Sequence, residues 1–434
     1  MSIWDYFTKS EGGDTAFSVE APKIKFGRGA LKEVGEDAKA LGLKRIGVYT
    51  DPQVKHLSAV ASVMASLKKA GIDAVLYDVC EVEPTDRSFK AAAQFAIEGE
   101  FDGFISVGGG SVMDTAKAAN LYATYPDAFL AYFNAPIGDA KPIPGPLKPH
   151  ICCPTTFGTA SECTGIAICD IIELDVKTGI SSPRLRPILG ILDPNNLESL
   201  PKNVLAANGF DVFSHAVESI TAKPYTHRAA PNNPNARPLS QGANPYSDIA
   251  CIEAIRLIGT NLVDAVNNPT SESYESLMFA GMLAGIGFGN AGCHLPHAMS
   301  YAVAGLVRNY QPKGWPSNHP MVPHGLSVIV NAPAVFRKTA PACYDRHMLA
   351  AEAMGADTVG IKLEDAGDCL AQRVIDMMRD TGMPNGLRGV GYSEDDIEAL
   401  TDRGFMQQRL ITNAPILINR DDQKALFEDA LSYW

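Results

Sequence analysis

Histidine is scarce in this chain, at nine of 434 residues. Basic residues are short as well: 37 Lys and Arg stand against 49 Asp and Glu, a formal charge of −12. That balance excludes a nucleic-acid footprint, which needs a basic stripe. No apolar run approaches the length of a membrane-spanning helix, so no membrane role is expected. The nine cysteines are odd in number and irregularly spread, which argues against a disulfide framework and for a reducing setting. The first twenty residues contain acids and no arginine, and lack both an apolar secretory core and transit-peptide character. A cytoplasmic protein acting on small molecules is the expectation.

What is present is 46% apolar residues, enough for sizeable cores, arranged in two styles. The first alternates strand and helix. Strand-like runs at 45–50, 74–79, 101–107 and 151–154 are separated by helical periodicity at 56–70, 88–98 and 111–122, and this order implies a parallel sheet flanked by helices. A hairpin is expected within 165–192, with a last strand at 189–192. After Asp193-Pro194 long helical patterns dominate, at 205–221, 248–266, 271–285, 325–336, 344–354, 363–380, 394–402 and 421–433. The expected domains are therefore 1–193, α/β and dinucleotide-binding, and 194–434, all-helical. Two Pro- and Asn-rich stretches, 223–246 and 309–322, are long for connections within a domain.

The run Ser106-Val-Gly-Gly-Gly-Ser111-Val-Met-Asp114-Thr-Ala-Lys117 reads as strand, glycine turn and helix start. Such a junction lets backbone N–H groups and the positive helix end approach a pyrophosphate. Ser111 suits an N-cap. The plainer alternative is a tight turn that uses glycine only for its backbone freedom. Asp51, after the first clear strand, suits a ribose 2′-hydroxyl and would repel a 2′-phosphate, favouring NAD(H). Its plainer role is a helix cap. The hydroxyl-rich Pro154–Thr164 segment suits either a nicotinamide ribose or a capped turn.

Asp211 and His215 lie four apart on one face of a helical pattern. A carboxylate and neutral imidazoles suit Fe²⁺ or Zn²⁺. His297 and His324 are further candidate ligands. His294 competes with His297, and His150, His227 and His319 have weaker contexts.

Taken together these stretches resemble the iron-containing (group III) alcohol dehydrogenase family. The shared patterns, in order, are GGGS-x-x-D-x-x-K, PTT-x-GT-x-x-E, G-x-D-x-x-x-H, H-x-M-S and PHG, and they span almost the whole chain. Within the family, AANLYA (118–123), APIG (135–138), the 223–246 insert, GIGFGNAG-x-HL-x-H (285–297) and HPMVPHGLSV (319–328) resemble its hydroxyacid–oxoacid transhydrogenase branch. The resemblance implies an α/β dinucleotide-binding domain followed by an all-α domain, as in dehydroquinate synthase-like folds. It implies metal ligands at Asp211, His215, His297 and His324, through which catalysis runs. It places cofactor contacts at Asp51, Gly109, Gly110, Ser111, Asp114, Thr155, Thr159, Thr164 and Lys177. The cofactors implied are NAD(H) and one divalent metal, Fe²⁺ ahead of Zn²⁺, in a homodimer or larger assembly. The sequence departs from the family at Tyr301, where many members carry a second histidine, and at Phe157, Cys163 and Thr85.

The activity implied is hydride transfer between a hydroxy acid such as 4-hydroxybutyrate and an oxo acid such as 2-oxoglutarate through bound NAD(H). The alternative is a cofactor-releasing NAD-dependent dehydrogenase of an ω-hydroxy acid, small alcohol or diol. A lyase related to dehydroquinate synthase and a non-catalytic binding protein fit the motifs less well. Carboxylate substrates need cations, and Arg228 and Arg237 are the candidates, beside Arg308 and Lys313, with Tyr301 as a further substrate-side residue.

Overall fold

The strand candidates pair as one sheet in the computed structural model, which describes residues 4–174, 176–315 and 320–434. Eight strands are formed: β1 Lys23–Phe26, β2 Arg45–Tyr49, β3 Asp73–Tyr77, β4 Gly103–Gly108, β5 His150–Pro154, β6 Ile166–Ile171, β7 Val176–Ser181 and β8 Leu189–Leu192. Six of them make a parallel sheet in the order β1-β8-β5-β4-β2-β3. β6 and β7 form the expected hairpin, with Ile166 opposite Ser181.

The helices of this unit are α1 Val34–Ala40, α2 Ser58–Ala70, α3 Asp86–Gly99 and α4 Gly110–Thr124. β4 is buried along its whole length, as a central parallel strand must be when helices cover both faces. Its alternate residues serve different cores. Ile105 and Val107 pack with Ile46, Val48, Val34, Val63 and Leu67, on the side of α1 and α2. Phe104 packs with Tyr49, Ala92, Ala96, Val112 and Ala116, on the side of α3 and α4. The sheet is thus doubly wound, as expected. β1 and α1 have no counterpart in the sequence reading. Both are short, and the four residues of KIKF are too few for their alternation to stand out.

The second unit is built from α5 Lys202–Thr221, α6 Pro245–Asn267, α7 Ser271–Ala291, α8 Leu295–Gly305 and α9 His324–Ile329, with further helices running to Asp429. Where one helix was expected over 325–336, α9 and Ala332–Thr339 are separate. Pro333 cannot donate to the preceding turn and starts the second helix instead. α8 was not anticipated, because its Pro296 reads as a breaker; in the structure it occupies the first turn, where proline costs no hydrogen bond. No single described helix is long and apolar enough to cross a membrane.

The two compact units are Ala21–Leu200 and Met1–Glu20 with Pro201–Trp434, a division that differs from the expected 193/194. Asp193 caps the short turn Pro194–Ser199 through Asn195 N–H (3.2 Å), and its other oxygen meets Leu31 N–H (3.5 Å), so these residues stay with the sheet. The N-terminal segment belongs to the helices. Tyr6 donates to Ala222 O (2.8 Å), Ser18 N–H donates to Gln241 (2.9 Å), and the Phe7 ring lies against Tyr225.

Candidate metal centre and cofactor end

Asp211 and His215 project from the same face of α5, one turn apart, and both are buried. α8 brings His297 to them, and α9 brings His324. From Asp211 Oδ1 the distances are 3.5 Å to His297 Nε2, 3.6 Å to His324 Nε2 and 3.8 Å to His215 Nδ1. Donors held about 2.0–2.2 Å from one tetrahedral ion would stand about 3.3–3.6 Å apart. Asp211 Oδ1, His215 Nδ1 and His297 Nε2 are all buried and have no hydrogen-bond partner. Three orphaned polar atoms converging in one place are costly unless something bonds them together, and a divalent cation fits that donor set. His324, with 33% of its side chain exposed, is the open side of the cluster.

Packing fixes the rings. His215 is stacked on Phe288 (centroids 3.9 Å apart, 9° between planes) and faces His297 at 4.4 Å. Burial pushes the His215 imidazole down to about 3, so it stays neutral and able to ligate. Gly325 lets α9 come close: a Cβ there would meet the Ala207 carbonyl oxygen of α5 at 2.2 Å. That approach is the physical reason for a glycine directly after the ligand.

Behind the cluster stands Glu218, a residue the sequence reading missed. It is fully buried on the same face of α5, accepts from His297 Nδ1 (2.6 Å) and from His294 N–H (2.6 Å). The first bond fixes the His297 tautomer so that Nε2 faces Asp211. Burial opposes a charge on His297, but the Glu218 carboxylate outweighs it and holds this imidazole well above its usual range. The i, i+4, i+7 spacing of Asp211, His215 and Glu218 was the available signal. His294 is otherwise engaged. Its Nδ1 accepts from Leu295 N–H (2.7 Å), capping α8, and its Nε2 meets the Thr221 hydroxyl (3.0 Å). Cys293, beside Glu218 and His297, is buried and its thiol is pushed up to about 11. His150 is buried against Ser106 (2.9 Å) within the sheet, His227 meets Thr8 O (3.0 Å), and His319 lies outside the described residues.

In the α/β unit the chain leaves β2 to form β3 on one side and returns as β4 on the other, so β2 and β4 flank a topological switch point. Their carboxyl ends are where open α/β sheets take ligands. Asp51 follows β2, and the glycine turn follows β4. Gly109, not Ser111, occupies the N-cap position of α4, and no side chain caps it, so the helix N-terminus keeps donors for a ligand. The Thr155–Thr159 loop lies over this turn. A Cβ on Gly110 would meet Thr159 Oγ1 at 2.6 Å, one on Gly109 would meet Thr156 at 3.3 Å, and Thr155 N–H donates to Gly108 O (3.0 Å). Thr159 Oγ1 is itself buried without a partner. Gly109, Gly110, Ser111, Thr155 and Thr159 are therefore brought together.

The remaining residues of the expected cofactor set have internal partners. Asp51 Oδ1 accepts from the N–H groups of Gln53 (2.8 Å) and Val54 (2.9 Å), the capping role that was the plainer reading. Asp114 accepts from Ser161 Oγ (2.6 Å) and Ile168 N–H (3.0 Å), tying α4 to β6. Burial pushes its carboxyl up, with Lys117 only partly offsetting this. Thr164 is buried at the end of the Ser161–Cys163 turn. Lys177 is paired with Glu83 (2.7 Å) and Asp170 (3.1 Å). Glu83 also donates its N–H to Ser111 Oγ (3.2 Å), so it joins the glycine turn to the hairpin. No motif pointed to Glu83. Glu162, within the Thr-rich segment, is buried and its carboxyl is pushed up to about 7.

The substrate-side arginines do not join the metal cluster. Arg237 is held by Asp14 through Nε (2.9 Å) and Nη2 (2.8 Å), and Arg228 donates to the Asn413 side chain (2.6 Å). Both line a cavity that includes none of the four clustered ligands. Tyr301 lies on α8, one turn beyond His297, and is partly exposed.

Residues 21–194 match the iron-containing alcohol dehydrogenase family, and residues 239–431 match the C-terminal region of the Fe-containing alcohol dehydrogenase family. The chain is 47% identical to the mitochondrial hydroxyacid-oxoacid transhydrogenase of Rattus norvegicus, over 97% of this chain and 91% of that protein. It is 46% identical to the Homo sapiens protein of the same name, with the same coverage. Among solved structures, 1,3-propanediol oxidoreductase superposes with a TM-score of 0.84 at 29% identity, over 96% of this chain and 100% of that one. With both halves matched in order and relatives this close, the chain belongs to the iron-containing alcohol dehydrogenase family.

Proposed function

We propose that this oxidoreductase moves hydride between a hydroxy acid and an oxo acid through bound NAD(H), with a divalent metal held by Asp211, His215, His297 and His324. The observation that carries the metal reading is the convergence of three buried, unpartnered donor atoms, with His297 Nε2 at 3.5 Å and His215 Nδ1 at 3.8 Å from Asp211 Oδ1. The substrate class rests on the names of the rat and human relatives. When bound, a divalent cation supplies Lewis acidity that favours the alkoxide form of the substrate hydroxyl.

The chain's own groups do the rest. Glu218 holds His297 in one tautomer, and the Phe288 stack holds His215. The open edge at His324 admits the substrate oxygen. The glycine turn and the uncapped end of α4 would hold the NAD pyrophosphate, and the threonine loop beside them would hold the nicotinamide ribose. When bound, NAD(H) would supply the hydride carrier between the two acids. The hydroxy acid gives up one hydride and one proton and the oxo acid takes up one of each, so the exchange consumes no net cofactor.

Fe²⁺ is proposed ahead of Zn²⁺, and a homo-oligomer ahead of a monomer. All nine cysteines are free, which supports a reducing compartment. The cytoplasm is our proposal, while the rat and human relatives are named mitochondrial, and cell fractionation distinguishes the two.

The test uses full-length protein reconstituted anaerobically with Fe²⁺, loaded with NAD and dialysed. Given 4-hydroxybutyrate and 2-oxoglutarate without free NAD, it should form 2-hydroxyglutarate over many turnovers. Absence of product from fully loaded enzyme overturns the transhydrogenase reading. A second reading, a dehydrogenase that releases its cofactor, is favoured by one observation: Arg228 and Arg237 stand apart from the metal cluster, so no cation for a substrate carboxylate is assigned there. It predicts turnover of a hydroxy acid or diol only with NAD in excess.

A further inference from the structure

The cavity that contains Arg228 and Arg237 has a volume of about 300 Å³ and lies wholly within the helical unit. It lies beyond the C-terminal end of α5, and none of the four metal-cluster residues lines it. From Asp211 to Thr221 the helix rises about 15 Å at 1.5 Å per residue, and the cavity's Lys223 comes after that helix end. Its lining is strongly cationic for an acidic protein. Lys223, Arg228 and Arg237 face it, with Asp14 as the lining carboxylate, in a chain of formal charge −12.

Asp14 is fully engaged by the Arg237 fork. Arg228 meets only the neutral amide of Asn413, and its Nε is buried without a partner. Among the described residues no carboxylate lies within ion-pairing distance of Arg228 or Lys223. Burial, and then the charge of Arg228, hold Lys223 below the usual lysine range, as expected of two neighbouring like charges that are both half-buried. The arrangement costs free energy that a bound anion would relieve. The 223–246 insert supplies all three cations, so the site belongs to the segment whose arginines were expected at the substrate but stand apart from the metal cluster.

We propose that this cavity is a binding site for a compact dianion, a small dicarboxylate or phosphate, distinct from the site of hydride transfer. Two charges match the two cations without carboxylate partners, and a guanidinium beside an ammonium suits paired oxygens.

The experiment is calorimetric titration of the full-length, metal-reconstituted protein with succinate and, separately, with inorganic phosphate, with acetate as the monoanion control. Saturable binding of one dianion is expected, with acetate at least tenfold weaker. Binding should persist in His324→Ala and weaken at least tenfold in both Lys223→Met and Arg228→Gln. Lys223→Met is the safer variant for folding, because Lys223 is held through its backbone alone: its N–H donates to Asn413 O (2.8 Å) and its carbonyl accepts from Ala243 N–H (3.0 Å). The preferred dianion tells whether the natural ligand is a carboxylate or a phosphate. Failure of both dianions to bind overturns the proposal. So does binding that survives Lys223→Met and is lost in His324→Ala, which would place the anion at the metal centre. The result is independent of whether NAD is retained or released during turnover.

Discussion

At the scale of single residues, the metal centre depends on groups that do not ligate. Glu218 accepts hydrogen bonds from His297 Nδ1–H and from the backbone N–H of His294. Glu218→Gln keeps the volume of the side chain but lets the His297 ring change tautomer. Metal affinity should fall by about 10–100-fold, the usual cost of losing such a partner, and competition against a chelator reads it. An unchanged affinity would mean that Glu218 only caps His294. Asp211 and His215 were legible because helical spacing makes two ligands of one face. The preference for His297 over His294 came from the family pattern, and the structure supplies its cause, since both His294 nitrogens are occupied. Glu218 was not singled out, because a glutamate on a helix reads as solvated unless its burial is known. Asp51 shows the converse: a residue with two plausible roles, of which the capping one is visible in the fold.

At the scale of elements, α5 and α9 must approach more closely than most helix pairs. Gly325 makes this possible, since any Cβ would run into the Ala207 carbonyl, which has no freedom to give way. Gly325→Ala should push α9 outward, withdraw His324 and reduce the bound metal well below one ion per chain. Elemental analysis of the purified variant, with circular dichroism to confirm that the helices persist, checks this. Full metal loading in Gly325→Ala would show that α9 can shift without disturbing the centre. Long periodic elements such as α2, α5 and α6 were readable to within a few residues. Those that were missed or misread have prolines or are very short: α8 with Pro296, the break before Pro333, and β1 with its four residues. In each case the residue's meaning depends on position within the element, which a linear pattern does not carry.

At the scale of the whole molecule, the parallel α/β unit and the helical unit were legible from the change of periodicity near residue 194. The order of strands was not, because the pairing of β1 with β8 joins distant parts of the chain. The same holds for the 4–20 segment, which joins the helical unit through Tyr6, Phe7 and Ser18 rather than its neighbours in sequence. Removing the metal should therefore be felt beyond the active site. A ligand that binds only the folded state at a hundredfold excess over its Kd adds about 2.7 kcal/mol of stability. Calorimetry of loaded and chelated protein should show a lower unfolding temperature after chelation, and coincident transitions would contradict the assigned donor set. The spacing of the donors also sets a sequence of events during synthesis. Asp211 and His215 leave the ribosome together as a pair of donors, His297 follows after α6 and α7 are made, and His324 comes last. A nascent chain thus holds an incomplete, weakly chelating pair for a long stretch of translation. The donor set that the proposed metal requires is therefore complete only once α9 has been made.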